Sequence, residues 1–151
     1  MDAAGIRDKV LENADAGGRP YLTGEDGGTK DLPRISISHS GDYVAVAISD
    51  REVGVDIQKR RSVRESLTDR VMSPEEKREY DRLCSEDAGS EAAREYFLSV
   101  WTAKEAVSKM DGRGIFAMLP ELSRDGWKEK AKAKILSRKI ADDYMLAVAY
   151  H

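Results

Sequence analysis

Val53-Gly54-Val55-Asp56-Ile57-Gln58 is the stretch from which the rest of the chain can be organised. Side chains along a strand alternate between two faces, so Val53, Val55 and Ile57 share one face, while Gly54, Asp56 and Gln58 share the other. β-Branched residues at every second position make a strand with one buried face. Asp56 is then a carboxylate on a strand with three apolar residues behind it.

The same period of two continues upstream. Arg34-Ile35-Ser36-Ile37-Ser38 alternates polar and apolar residues, and residues 43–48 form an apolar run with Val44, Val46 and Ile48 on one face. Gly41-Asp42 between them suits a two-residue hairpin turn with glycine first. Residues 15–33 contain five of the twelve glycines and two of the four prolines, and read as loop. Residues 2–14, with Ile6, Val10 and Leu11, read as a short helix.

Downstream the period lengthens. Residues 62–71 are compatible with a helix. Ser73-Pro74-Glu75-Glu76 starts another, to about Leu83: serine caps, proline occupies the first turn, and Glu76 completes a capping box. Residues 90–110 are the strongest helical segment, with Ala93, Tyr96, Phe97, Val100, Trp101, Val107 and Met110 at steps of three and four, ended by Gly112. In the tail, residues 127–140 have helix-forming composition, although 132–140 also suit an edge strand, and residues 144–150 read as a strand.

The chain has 151 residues, a length that favours one domain. Its 25 basic and 28 acidic residues are intermixed and give a net charge of −3, which argues against a dedicated nucleic-acid binder. The longest apolar runs fall far short of the about 20 residues that span a bilayer, and the N-terminus lacks the pattern of a signal peptide. A single cysteine, Cys84, fits a reducing cytoplasm. Two histidines and one cysteine are too few for an ordinary zinc site, so any metal here is expected to be a hard cation held by oxygen.

Along the long helix, Phe97, Trp101, Glu105 and Lys109 follow one side, at about 3.6 residues per turn. Glu105 is therefore expected to be at least partly buried. Alone, Glu105 and Lys109 would be an ordinary helical ion pair worth about 0.3–0.5 kcal/mol. Asp56 is a second carboxylate in a similar setting, and two such groups brought together suit Mg²⁺, which takes carboxylates together with phosphate and water oxygens. Ser38-His39-Ser40 and Gly18-Arg19-Pro20 read in isolation as polar turns, or alternatively as phosphate contacts. The glycines do not form a P-loop, and no G-x-S-x-G elbow is present.

The order of four segments is the most specific signal. Gly18-Arg19-Pro20-Tyr21, Ile37-Ser38-His39-Ser40-Gly41, Val53-Gly54-Val55-Asp56-Ile57 and Trp101-Thr102-Ala103-Lys104-Glu105-Ala106 with Lys109 resemble the 4′-phosphopantetheinyl transferases of the surfactin-synthetase-activating type. The resemblance is close over residues 17–115 and looser in the tail. It implies an α+β fold, an antiparallel sheet packed against a long helix, in pseudo-twofold halves with the first abbreviated. The whole, 1–151, is then a single domain, with 1–52 as the short first half and 53–151 carrying the metal site.

The resemblance also implies an activity: transfer of 4′-phosphopantetheine from coenzyme A to a serine of an apo acyl, polyketide or peptidyl carrier protein, releasing 3′,5′-ADP. By motif, Asp56 and Glu105 resemble the Mg²⁺ ligands, and Glu105 the general base. Lys104 and Lys109 match the lysines of W-x-x-K-E-x-x-x-K, and Lys109 would hold the pyrophosphate. Ser38, His39 and Arg19 match coenzyme A contacts. Two departures stand out. Gln58 replaces an acidic residue found in many relatives, leaving its carbonyl to ligate the metal or hold a metal-bound water. The segment before Gly18 is short, where relatives use basic residues for the 3′-phosphate. Lys59-Arg60-Arg61 and Arg64 form a basic run that suits an acidic carrier protein, or equally a solvated face; Met72 and Leu83 suit either partner contacts or core. The expected protein is a cytoplasmic monomer or small homo-oligomer, with a non-catalytic coenzyme A or carrier-protein binding module as the alternative. A blander third reading, in which the motifs only pack an unrelated domain, requires Asp56 and Glu105 to lie far apart.

Overall fold

The computed structural model describes residues 10–13, 20–24, 28, 31–60, 65–87 and 91–151. Its elements, in chain order, are β1 (Val10–Asn13), β2 (Pro20–Thr23), β3 (Arg34–Ser40), β4 (Tyr43–Ser49), β5 (Val53–Lys59), α1 (Glu65–Val71), α2 (Pro74–Glu86), α3 (Glu91–Asp111), α4 (Ile115–Leu122), α5 (Trp127–Ala131), β6 (Lys134–Ile140) and β7 (Tyr144–Tyr150). All strand pairing is antiparallel: β1 with β2, β3 with β4, and a three-stranded sheet in the order β5-β7-β6. The α+β class expected from the sequence is the one observed.

The hairpin β3–β4 turns at Gly41-Asp42, where Gly41 takes φ +54°, a backbone conformation that glycine adopts without strain. Strand β5 lies at an edge of its sheet, so its N–H groups on the side away from β7 need other acceptors. Serines of β3 supply them. Ser36 Oγ accepts from Val55 N–H at 3.0 Å, Ser38 Oγ from Ile57 N–H at 3.0 Å, and Ser40 Oγ from Lys59 N–H at 2.9 Å. The serine at every second position, legible as alternation, thus joins the hairpin to the sheet through side chains rather than a backbone ladder.

Helix α3 lies across β5 and β7. Its buried residues Phe97, Val100, Ala103, Ala106, Val107 and Met110 form the centre of the core with Ala147 and Ala149 of β7. Met72 belongs to this core, while Leu83 is half-buried on α2. Ser73 caps α2 as expected. Its hydroxyl accepts from Glu76 N–H at 3.2 Å, and the Glu76 carboxylate accepts from Ser73 N–H at 2.9 Å. Ser73→Ala is expected to cost about 1 kcal/mol, read as a lower urea midpoint at unchanged m-value; an unaltered midpoint would show the cap to be idle.

Two expectations need correction, and one helix was missed. Residues 10–13 are strand, not helix: Val10 and Leu11 fit either period, and pairing with β2 decides. The remainder of the 2–14 helix lies outside the described residues. The 15–33 loop contains β2, which opens on a proline, tolerated at the first position of a strand, and buries Leu22 and Thr23. Helix α4 was not expected at all. Its Ile115, Met118, Leu119 and Leu122 have helical spacing, but Pro120 inside it and its brevity conceal the signal. The tail is resolved as a short helix, α5, followed by the edge strand β6. Helix 62–71 is seen from Glu65 on; residues 62–64 lie outside the described residues. Among the described residues no helix is long and apolar enough to cross a membrane.

Candidate active site

Asp56 projects from β5 toward α3 and is 2% exposed. Its carboxylate is fully engaged. Oδ1 accepts from Ser38 Oγ at 3.1 Å and from Lys109 Nζ at 3.0 Å, and Oδ2 accepts from Gln58 Nε2 at 2.9 Å. Three elements converge here: β3 brings Ser38, β5 brings Asp56 and Gln58, and α3 brings Lys109 one turn beyond Glu105.

Glu105 is half-buried on the same helix, and its carboxyl is pushed up to about 7. Burial is the main cause, the negative charge of Asp56 adds to it, and Lys109 partly offsets both. That repulsion places the two acids in one electrostatic neighbourhood. With both ionised, two negative charges meet one ammonium, Lys109, among the described residues, and the donor set consists of oxygen. Among the described residues no group of three or more His, Cys, Asp and Glu side chains is placed to hold a metal. Two carboxylates are the oxygen donors that Mg²⁺ takes together with water and phosphate, and Asp56 would accept the ion by giving up its Lys109 or Gln58 partner. Gln58 shares the face of Asp56 as expected, with its amide nitrogen turned to that carboxylate.

The other expected site residues divide. His39 is exposed on the opposite face of β3 from Ser38, across from Val44 of β4. Arg19 lies outside the described residues, as do Arg61 and Arg64. Arg60 pairs with Glu91 at the start of α3. Lys104 is not brought to the Asp56 group. Its side chain is fully buried, with Nζ donating to Val71 O at 2.7 Å and to Glu76 Oε1 at 2.5 Å, and lying 5.2 Å over the Trp127 ring. One step along a helix turns a side chain by roughly 100°, so Lys104 and Glu105 serve different sides of α3. Burial draws the Lys104 ammonium below its ordinary range, against the pull of Glu76.

Sequence reasoning missed the structural hub on that side. Glu76 caps α2 with Oε1 and accepts from Trp127 Nε1 with Oε2 at 3.1 Å. The capping box flagged Glu76, but nothing in the sequence joined it to Lys104. Ser36 and Ser40 were also missed as fasteners of β5, although their alternation was visible.

A family model described as the 4′-phosphopantetheinyl transferase superfamily matches residues 52–149, the part that holds β5, α3 and the closing strands. The chain belongs to that family. It is 30% identical over 125 residues to 4′-phosphopantetheinyl transferase psf-1 of Bacillus pumilus, covering 79% of this chain and 48% of that protein. It is 33% identical over 95 residues to 4′-phosphopantetheinyl transferase Sfp of Bacillus subtilis, covering 62% of this chain and 40% of that one. It is also similar to the L-aminoadipate-semialdehyde dehydrogenase-phosphopantetheinyl transferase of Xenopus laevis, 32% identical over 117 residues, covering 72% and 37%. The chain thus spans about half or less of the length of these relatives.

Proposed function

We propose that the chain transfers the 4′-phosphopantetheine arm of coenzyme A to a serine of an apo carrier protein, releasing 3′,5′-ADP. The observation that carries this reading is the pairing of Asp56 with Lys109 beside an incompletely neutralised Glu105. Magnesium bound by Asp56 and Glu105, with Gln58 adjoining, would supply charge neutralisation to the diphosphate oxygens. Lys109 offers an ammonium to the same diphosphate. Glu105, ionised, accepts the proton of the carrier serine hydroxyl, directly or through a water. The serine oxygen bonds to the phosphorus that bears pantetheine, the bond from that phosphorus to the bridging oxygen breaks, and the electron pair leaves on 3′,5′-ADP. Ser38 orients Asp56, while His39 and Arg19 are the proposed coenzyme A contacts. Lys104, enclosed by Val71 O and Glu76, is assigned to holding α1 and α2 against α3 rather than to substrate.

In this proposal 1–151 is one domain of two pseudo-related halves, 1–52 and 53–151, acting in a reducing cytoplasm. A second reading, a binding module without turnover, is favoured by one observation: Gln58 presents an amide to Asp56 and not a third acid. Mass spectrometry separates the two. The chain, coenzyme A, Mg²⁺ and apo acyl or peptidyl carrier proteins are incubated together. A gain of one phosphopantetheine on a carrier supports the transferase, and no gain on any carrier at micromolar enzyme supports the module.

A further inference from the structure

The turn of the β3–β4 hairpin is held by a residue far along the chain. Tyr144, at the start of β7, is 6% exposed, and its phenol oxygen accepts from Asp42 N–H at 3.1 Å. The same oxygen fills the space beside Gly41, lying 2.1 Å from where a Cβ on that residue would stand. The Tyr43 ring meets the Tyr144 ring edge-on at 4.7 Å between centroids, and Lys59 Nζ sits 6.0 Å above the Tyr144 ring. Lys59 is also opposite Tyr144 in the β5–β7 register and donates its N–H to Ser40 Oγ. The turn is therefore clamped at the end of the serine ladder, next to Ser40 and two residues beyond His39.

We propose that Tyr144 is a positioning residue for coenzyme A: by latching Gly41-Asp42 to the sheet, it fixes where the exposed His39 stands relative to Asp56. This rests on the reading of His39 as a coenzyme A contact. The serine ladder ends at Ser40 to Lys59, and the hairpin pairing closes at Ser40 and Tyr43, so the phenol carries the tie to the sheet on to the two turn residues. It does so through one hydrogen bond to the backbone and one shape fit. Tyr144→Phe keeps the ring and its aromatic contacts and removes only the acceptor, so the fold is expected to persist.

The test measures coenzyme A binding by calorimetry with Mg²⁺ present, for the wild type, Tyr144→Phe, His39→Ala and the double variant, alongside thermal unfolding of each. Tyr144→Phe is expected to weaken coenzyme A about fivefold, to raise its KM by the same factor, and to leave kcat and the KM for the carrier protein unchanged. The double variant is expected to match His39→Ala alone, since the latch acts through that side chain. Hydrogen exchange at the Asp42 amide is expected to quicken in Tyr144→Phe. A purely structural role would lower Tm and leave the affinity and the KM split unmoved, and that result overturns the proposal. Losses that multiply in the double variant also overturn it. A wild type that neither binds nor uses coenzyme A removes the function and this inference together; a working wild type with an indifferent Tyr144→Phe removes the inference alone.

Discussion

Glu105→Gln is expected to cut phosphopantetheine transfer by about 10³-fold or more while making the protein more stable at pH 8. The loss of rate follows from removing the proposed base, typically worth 10²–10⁴-fold, together with one of two carboxylates offered to the metal. The gain in stability follows from the raised carboxyl. Glu105 titrates at about 7 in the folded chain against an ordinary 4.5. Between these values the folded state binds more protons than the unfolded one, so stability contributed by this group falls as pH rises from the lower to the higher value. Above about 7 the full cost of an ionised, half-buried Glu105 beside Asp56 is present. Glutamine removes it, and with allowance for solvent around a half-buried group the gain is on the order of 1–2 kcal/mol.

Urea unfolding of both proteins in EDTA at pH 5 and pH 8 measures this. The difference between variant and wild type should be larger at pH 8. Added Mg²⁺ should stabilise the wild type more than the variant, because it neutralises the charge that only the wild type carries. A wild type and variant with identical pH dependence would show that neither burial nor Asp56 raises the Glu105 carboxyl in the folded chain. Full transfer by the variant would remove Glu105 from the chemistry.

Gly54→Ala is expected to lower stability by about 4 kcal/mol or to abolish folding. A Cβ at position 54 would stand 1.9 Å from Ala106 O and 2.5 Å from Met110 N, both backbone atoms of α3. Backbone cannot rotate aside as a side chain does, so α3 would have to lift from β5. That helix carries Ala106, Val107 and Met110 in the core, at 0%, 1% and 4% exposure. Its displacement would open the centre of the molecule and also draw Glu105 and Lys109 away from Asp56. Urea unfolding by circular dichroism, followed by transfer assays at a temperature where the variant remains folded, reads both consequences. A loss below about 1 kcal/mol would mean that the strand and helix do not meet at this glycine.

Much of the frame was legible in one dimension. Alternation identified β3 and β5 and apolar runs identified β4 and β7, although β5 is buried on both faces and the β4 face with Val44, Val46 and Ile48 is exposed. The capping box located the start of α2, and the apolar stripe located α3. The segment order also pointed to the family, and Asp56 and Glu105 to the pair of acids. Elements whose local pattern is weak were not legible: β1 and β2 are short and gain their state from pairing with each other, and α4 contains a proline.

What the amino-acid order determined by itself was therefore which residues alternate, which recur at helical steps, and which acids stand on otherwise apolar elements. These are properties of neighbouring residues and survive without a fold. Only the tertiary structure decided that Ser36, Ser38 and Ser40 bind β5, that Lys104 turns to Glu76 while Lys109 turns to Asp56, and that Gly54 lies under the backbone of α3. Contacts of that kind join residues from 18 to 102 positions apart in the chain. They depend on how α3 is rotated and seated on β5, and rotation about a helix axis is set by the packing of its whole buried face, which no local pattern encodes.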